Sequence, residues 1–230
     1  TITTTGTQTY GDDATLDTIT LGNSTTFTTT DSQITFNGTV NSEGSETNNL
    51  TINVGSSEVE FNGAVGGSRT LGAIAITGAL DLNAAITNAS SLTVSTTSDL
   101  GANVTTSGIQ TYTGAVTLNG DRTLTGSTIT TNGTIVGNGY SLTITGNAVF
   151  GDDTTDTVTG VNILSVSDNT TIHTDTITTT DTQTYGDDAT LDTITLGNNT
   201  TLTTTESQIT FNGTVNSEGS ETNNLTINVG

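Results

Sequence analysis

The chain has 230 residues, 62 of them threonine, and a net charge of −21 set against two arginines, one histidine and no lysine. That balance excludes nucleic acid, whose phosphates are held by Lys and Arg, and anionic membrane surfaces for the same reason. No run of 18 apolar residues exists to insert into a bilayer, and the absence of cysteine excludes disulfide staples and thiolate zinc sites.

In chain order the apolar residues come in short clusters. They begin with Leu16, Ile19 with Leu21, and Phe27, continue through Ile34 with Phe36, Val40, Leu50 with Ile52 and Val54, and recur in this way to the end. Within a cluster the spacing is i, i+2 with Thr between, the pattern of a half-buried strand. Thr, Val and Ile are stiff at χ1, which disfavours helix and suits a strand. Clusters are separated by Asn-Gly, Gly-Asn, Gly-Asp or Ser-Gly, residues that tolerate positive φ at tight corners. No segment carries a 3.6 period with caps, so essentially no helix is predicted.

Residues 1–55 align with 176–230 without a gap. Four positions differ: Gly6 and Asp181, Ser24 and Asn199, Phe27 and Leu202, Asp31 and Glu206. The chain therefore reads as one unit over 1–175 and the start of a near-identical unit over 176–230, in a single continuous rod. Smaller phrases recur inside the unit. "FNGTV" at 36–40 is echoed by "FNGAV" at 61–65 and "TNGTI" at 131–135, and "TQTYGDDATL" at 7–16 by "IQTYTGAVTL" at 109–118.

Such strands fit either a string of antiparallel sandwiches or a parallel solenoid. Very short strands, few aromatics and the echoed corner phrases favour the solenoid. The expectation is an all-β, right-handed parallel β-helix (β-solenoid) of about 10–12 short coils stacked about 4.8 Å apart. The absence of proline follows, because every coil is paired above and below and Pro removes a ladder donor. Outward Thr would stack on Thr of the next coil, and corner Asn would form side-chain ladders.

The stretch "QTYTGAVTLNGDRTLTGSTITTNGTIVGNGYSLTITGNAVFGDD" at 110–153 resembles the repeat regions of large bacterial surface proteins, the filamentous-haemagglutinin-like adhesins of the two-partner secretion type. The resemblance implies a right-handed parallel β-helix, export through an outer-membrane pore, and a role as a long stalk or fibre.

Paired acids stand at Asp12 and Asp13, Asp152 and Asp153, and Asp187 and Asp188, each pair after a glycine. They read either as solvated corners or as oxygen ligands for calcium, a hard cation; neither the nonapeptide calcium repeat nor the EF-hand loop is present. No cofactor is required, and calcium is the one cation the pattern suggests. Arg69 and Arg122 are expected to pair with nearby acids, His173 to sit outward on a strand, and Tyr10, Tyr112 and Tyr185 of the Q-T-Y phrase to pack at corners.

The functional expectation is a non-enzymatic stalk segment of a giant secreted adhesin at the bacterial cell surface. Its partners would be neighbouring repeats, laterally associated copies, and a host, cell-surface or matrix ligand at a distal tip. The alternative is an ice- or glycan-binding solenoid that uses Thr and Asn ladders. The uneven coil length, about 18 residues near Leu124–Leu142 and about 25 elsewhere, weighs against ice, which demands a regular lattice.

Overall fold

The computed structural model describes residues 1–188 and 190–230. Among them are 26 strands and no helix, as the β-branched composition requires. The chain forms a parallel β-solenoid of about 11 turns, within two compact units, Thr1–Thr113 and Gly114–Gly230.

In the first unit each coil contributes to three parallel columns. One column carries Tyr10, Phe36, Phe61, Leu82 and Leu100 inward on successive strands. A second runs Ile19, Val40, Val65, Ile86 and Val104. The third runs Phe27, Ile52, Ile76, Val94 and Tyr112. From Phe36, Val40 and Ile52 onward these side chains are essentially shielded from solvent, so the core is a narrow stack in which each coil buries its apolar edge against its neighbours. Tyr10, Phe36 and Phe61 stack nearly parallel at centroid distances of 5.3 and 5.1 Å, and Phe27 meets Phe36 edge-on at 5.3 Å.

The second unit repeats the plan. Leu124, Ile144, Val166, Tyr185 and Phe211 form one inward column. Ile135, Val158, Ile177, Leu202 and Ile227 form another, and Ile129, Ala148, Thr170, Ile194 and Val215 the third. The buried Thr170 hydroxyl has no hydrogen-bond partner.

Coil length varies while the inward columns stay aligned, with bulges such as those after Val158 and Asn53 taking up local shifts. Gln8 pairs with Ile34, 26 residues on, whereas Leu80 pairs with Ser98, 18 residues on. The difference is taken up at corners such as Gly11–Asp17 and Glu43–Asn48, outside the paired strands.

Gly120 and Gly139 after asparagine, and Gly11, Gly151 and Gly186 before aspartate, have the expected positive φ, but four other Asn-Gly corners differ in cause from the sequence expectation. Gly38, Gly63, Gly133 and Gly213 do not have positive φ; they are glycine for clearance. A Cβ on Gly38 would lie 2.8 Å from the Asp17 carbonyl oxygen, and one on Gly63 would run into the Gly38 carbonyl of the coil beneath. Beside them the expected asparagine ladder is present. Asn62 Nδ2 donates to Asn37 Oδ1 at 2.9 Å, and Asn83 Nδ2 to Asn62 Oδ1 at 3.0 Å.

Candidate functional site

The three acid pairs sit in corner loops, and each loop is pinned by a third aspartate that the sequence reading missed. In Gly11–Asp17, Asp17 Oδ2 accepts the backbone N–H groups of Asp12 and Asp13 at 2.7 and 3.0 Å. Asp13 Oδ1 accepts from the N–H and hydroxyl of Thr15, both at 2.8 Å, and from the N–H of Leu16 at 3.0 Å. The loop at 186–192 repeats this geometry. Asp192 Oδ2 takes the N–H groups of Asp187 and Asp188 at 2.8 Å each, and Asp188 Oδ1 holds Thr190. At 151–156, one residue shorter, Asp156 accepts from Asp152 N–H at 3.2 Å and Asp153 holds Thr155. The readable signal was a third Asp, three or four residues beyond each pair.

These carboxylates are charged acceptors for amides that would otherwise face water. Hydrogen bonds from Thr15 and Leu16 hold Asp13 below the usual aspartate range, and the Asp12 and Asp13 amides do the same for Asp17. Thr155 lowers Asp153 and Thr190 lowers Asp188. Because these folded-state values lie below the ordinary 3.8, the loops' contribution to stability is complete above that pH and is lost as pH falls through the lowered values.

One loop could hold a hard cation: a carboxylate oxygen from each of Asp152, Asp153 and Asp156 lies within 4.8 Å of the others. Calcium is expected to raise the melting temperature above that in NaCl of equal ionic strength, through binding to the folded state alone, and Asp156→Asn to abolish the difference. Identical melting curves in the two salts would assign these acids to loop pinning only.

Leu16, counted among the apolar clusters, is not in the core. It is 81% exposed on its loop, and its counterpart Leu191 is 76% exposed. His173 lies just beyond Thr170–Ile172 rather than on the strand, half-buried, with Nε2 4.0 Å from Glu218 Oε2. This is the one contact within 4.0 Å between a basic and an acidic side chain among the described residues. Arg122 does not pair with Asp121: its guanidinium donates to the Asn119 carbonyl at 3.4 Å, and Asp121 accepts from Ser141 N–H at 2.8 Å. Arg69 lines a shallow cleft of about 240 Å³ with Glu46, again without a close ion pair.

The Q-T-Y phrase builds a buried polar unit. Tyr112 and Tyr185 are fully shielded, and each hydroxyl donates to the glutamine two residues before it, at 3.0 and 2.9 Å. Burial pushes both phenols well up, so they stay protonated donors. The glutamine amides in turn donate to Thr106 and Thr179 hydroxyls, both at 3.3 Å, which satisfies groups that would be costly to bury unpaired. Tyr10 and Gln8 repeat the contact at 2.8 Å. The full signature is T-x-x-x-Q-x-Y.

The outer surface carries columns of hydroxyls. Thr157, Thr176, Thr201 and Thr226 stand in register on successive coils of the second unit, as do Thr123, Thr143, Ser165, Thr184 and Thr210. The column Thr26, Thr51, Ala75, Thr93 and Thr111 in the first unit is broken by Ala75. Double T-x-T rows are in register at Thr123/Thr125 on Thr143/Thr145 and at Thr176/Thr178 on Thr201/Thr203; Asn228 follows the second pair on one side and a register shift after Val158 precedes it on the other.

Comparison with protein-family models, with curated proteins and with solved structures finds no match to this chain.

Proposed function

We propose that the chain is a length-setting structural segment of a secreted bacterial surface fibre or adhesin, a non-catalytic stalk that carries a binding tip away from the cell. The observation that carries this reading is the duplication. Residues 1–55 and 176–230 take the same strands at the same positions, Gln8–Tyr10 and Gln183–Tyr185, Ile34–Phe36 and Ile209–Phe211, Thr39–Ser42 and Thr214–Ser217. A block that folds alike wherever it recurs, and whose stability comes from its neighbours, lets length follow copy number without redesign. The polar, strongly acidic exterior is in keeping with an extracellular setting, and the partners in this reading are adjacent repeats, laterally associated copies and the ligand of the tip.

Purified arrays of one, two and three 175-residue units should lengthen linearly in small-angle scattering, at about 4.8 Å per added coil. Removing units from the full-length protein on cells should shorten its reach and weaken attachment, while the isolated segment binds no host surface. Direct binding by the isolated segment, or attachment indifferent to copy number, would overturn the stalk reading.

A second reading rests on the Thr176/Thr178 and Thr201/Thr203 rows, whose hydroxyls form a small lattice of about 4.8 by 6.7 Å. It assigns the segment to ice or a crystalline glycan, and ice-recrystallisation inhibition by the purified chain, lost in Thr201→Val, would favour it over the stalk.

A further inference from the structure

On one outward face of the first unit, Thr9, Thr35, Glu60, Asp81 and Asp99 stand in register on five successive coils. The last three are acids. Like charges directly opposed on strands about 4.8 Å apart disfavour the sheet that holds them. Glu60 has donors around it: Thr35 Oγ1 at 3.3 Å, Gln33 Nε2 at 3.5 Å and Asn83 Nδ2 at 3.4 Å. Glu58, on the same strand, is held by the Gln33 amide at 2.9 Å. Asp81 sits in the middle, with Glu60 on one neighbouring strand and Asp99 on the other, and the Asn83 amide as its donor. Neither arginine nor the histidine forms an ion pair with this column among the described residues.

We propose that the Glu60–Asp81–Asp99 column is a pH-responsive clasp: in mild acid a proton taken up at Asp81 removes both like-charge contacts and lets its carboxyl donate to a neighbouring acid, tightening the first unit. The direction of titration agrees. Partial burial, then Glu60 and Asp99, hold Asp81 above the ordinary 3.8. A carboxyl raised in the folded state stabilises fully below its unfolded value, and this contribution is lost as pH rises through the folded value. Asp13 and Asp17, shifted downward, act oppositely and at lower pH. Stability of the first unit therefore passes through a maximum in mild acid.

The test is thermal melting of the whole chain between roughly pH 7 and pH 4, with hydrogen exchange of 74–82 reporting the first unit and 164–172 the second. In the wild type, protection of 74–82 should rise on acidification from neutrality. Asp81→Asn should melt about 2 °C higher than wild type near pH 7, with the gain gone near pH 4. Asp99→Asn, which leaves the Asp81 side chain in place, should give a smaller gain with the same pH dependence. In molar salt, where screening shortens to about 3 Å, the gains should shrink. Protection of 74–82 that is flat or falls from pH 7 downward, or a gain in the asparagine variants that persists at low pH, would overturn the clasp.

Discussion

Phe36→Ala is expected to destabilise the first unit by about 3–5 kcal/mol, the range for truncating a fully packed aromatic, whereas Phe211→Ala, measured in this 230-residue chain without a following coil, should cost less than half as much. The two phenylalanines occupy the same place in identical "QITFNGTV" phrases at 33–40 and 208–215. Their local sequence predicts equal effects. Their neighbours do not: Phe36 is shielded between Tyr10 and Phe61, while Phe211 is half-buried and stacks on Tyr185 alone, at 5.6 Å. In a solenoid most of a coil's stability is an interface term with the coils on either side, and the cavity left by Phe36 would be lined on both sides by rings whose positions are fixed by the sheet. Hydrogen exchange of the flanking strands, Val59–Phe61 for the first and Gln183–Tyr185 for the second, would measure each loss locally, since two compact units need not unfold as one. Equal losses at the two sites would mean that stability resides within coils, and the neighbour account of this fold would fail.

The alternation that revealed the strands was plain because it is a property of single residues. Ile34 and Phe36, or Leu50, Ile52 and Val54, are apolar at every second position and face inward as that pattern demands. The polar core was not plain. Gln8, Gln110 and Gln183 are inward-facing amides two residues before a tyrosine, and apolar alternation gives no sign of their burial. Only the hydroxyl of Tyr112 or Tyr185, poised over the glutamine carbonyl, makes burial tolerable, and that contact needs the strand geometry to be seen. Leu16 failed in the opposite sense: an apolar residue in a loop whose backbone is already committed to Asp13 and Asp17 has no route to the core.

Register was the most misleading quantity. Uneven coil length suggested an irregular surface, yet Thr176, Thr201 and Thr226 align although 25 residues separate each from the next, and Leu80 aligns with Ser98 across only 18. Alignment is set by backbone pairing between strands, and corners absorb the remainder. What breaks the hydroxyl rows is residue identity, as at Ala75 and Asn228, or a bulge, as after Val158. The acid pairs were found, but their partners were not, because Asp17, Asp156 and Asp192 act on the backbone of the pair rather than on its side chains.

Gln183→Leu and Tyr185→Phe should each destabilise the second unit by about 1–3 kcal/mol, and the double variant by clearly less than their sum. Gln183 is fully shielded and fully engaged. Its carbonyl accepts from the Tyr185 hydroxyl at 2.9 Å, and its amide donates to the Thr203 carbonyl at 2.8 Å and to the Thr179 hydroxyl at 3.3 Å. Leucine fills the space but strands the Tyr185 hydroxyl in a dry core. Phenylalanine leaves the Gln183 carbonyl oxygen short of a donor. Either orphan loses its hydration with nothing in return, and that penalty, more than the bond itself, sets the cost. Removing both ends leaves an apolar pair of similar volume, and the Ile177, Thr179 and Thr203 contacts remain unmet, so the double variant recovers part of the loss. The cycle is best read from protection of Thr176–Thr179 and Thr200–Thr203, the strands that carry those contacts. A shortfall of the double variant's loss below the sum by at least about 0.5 kcal/mol assigns the Q-T-Y phrase to a connected buried network. Strict additivity would reduce it to two independent residues that happen to touch.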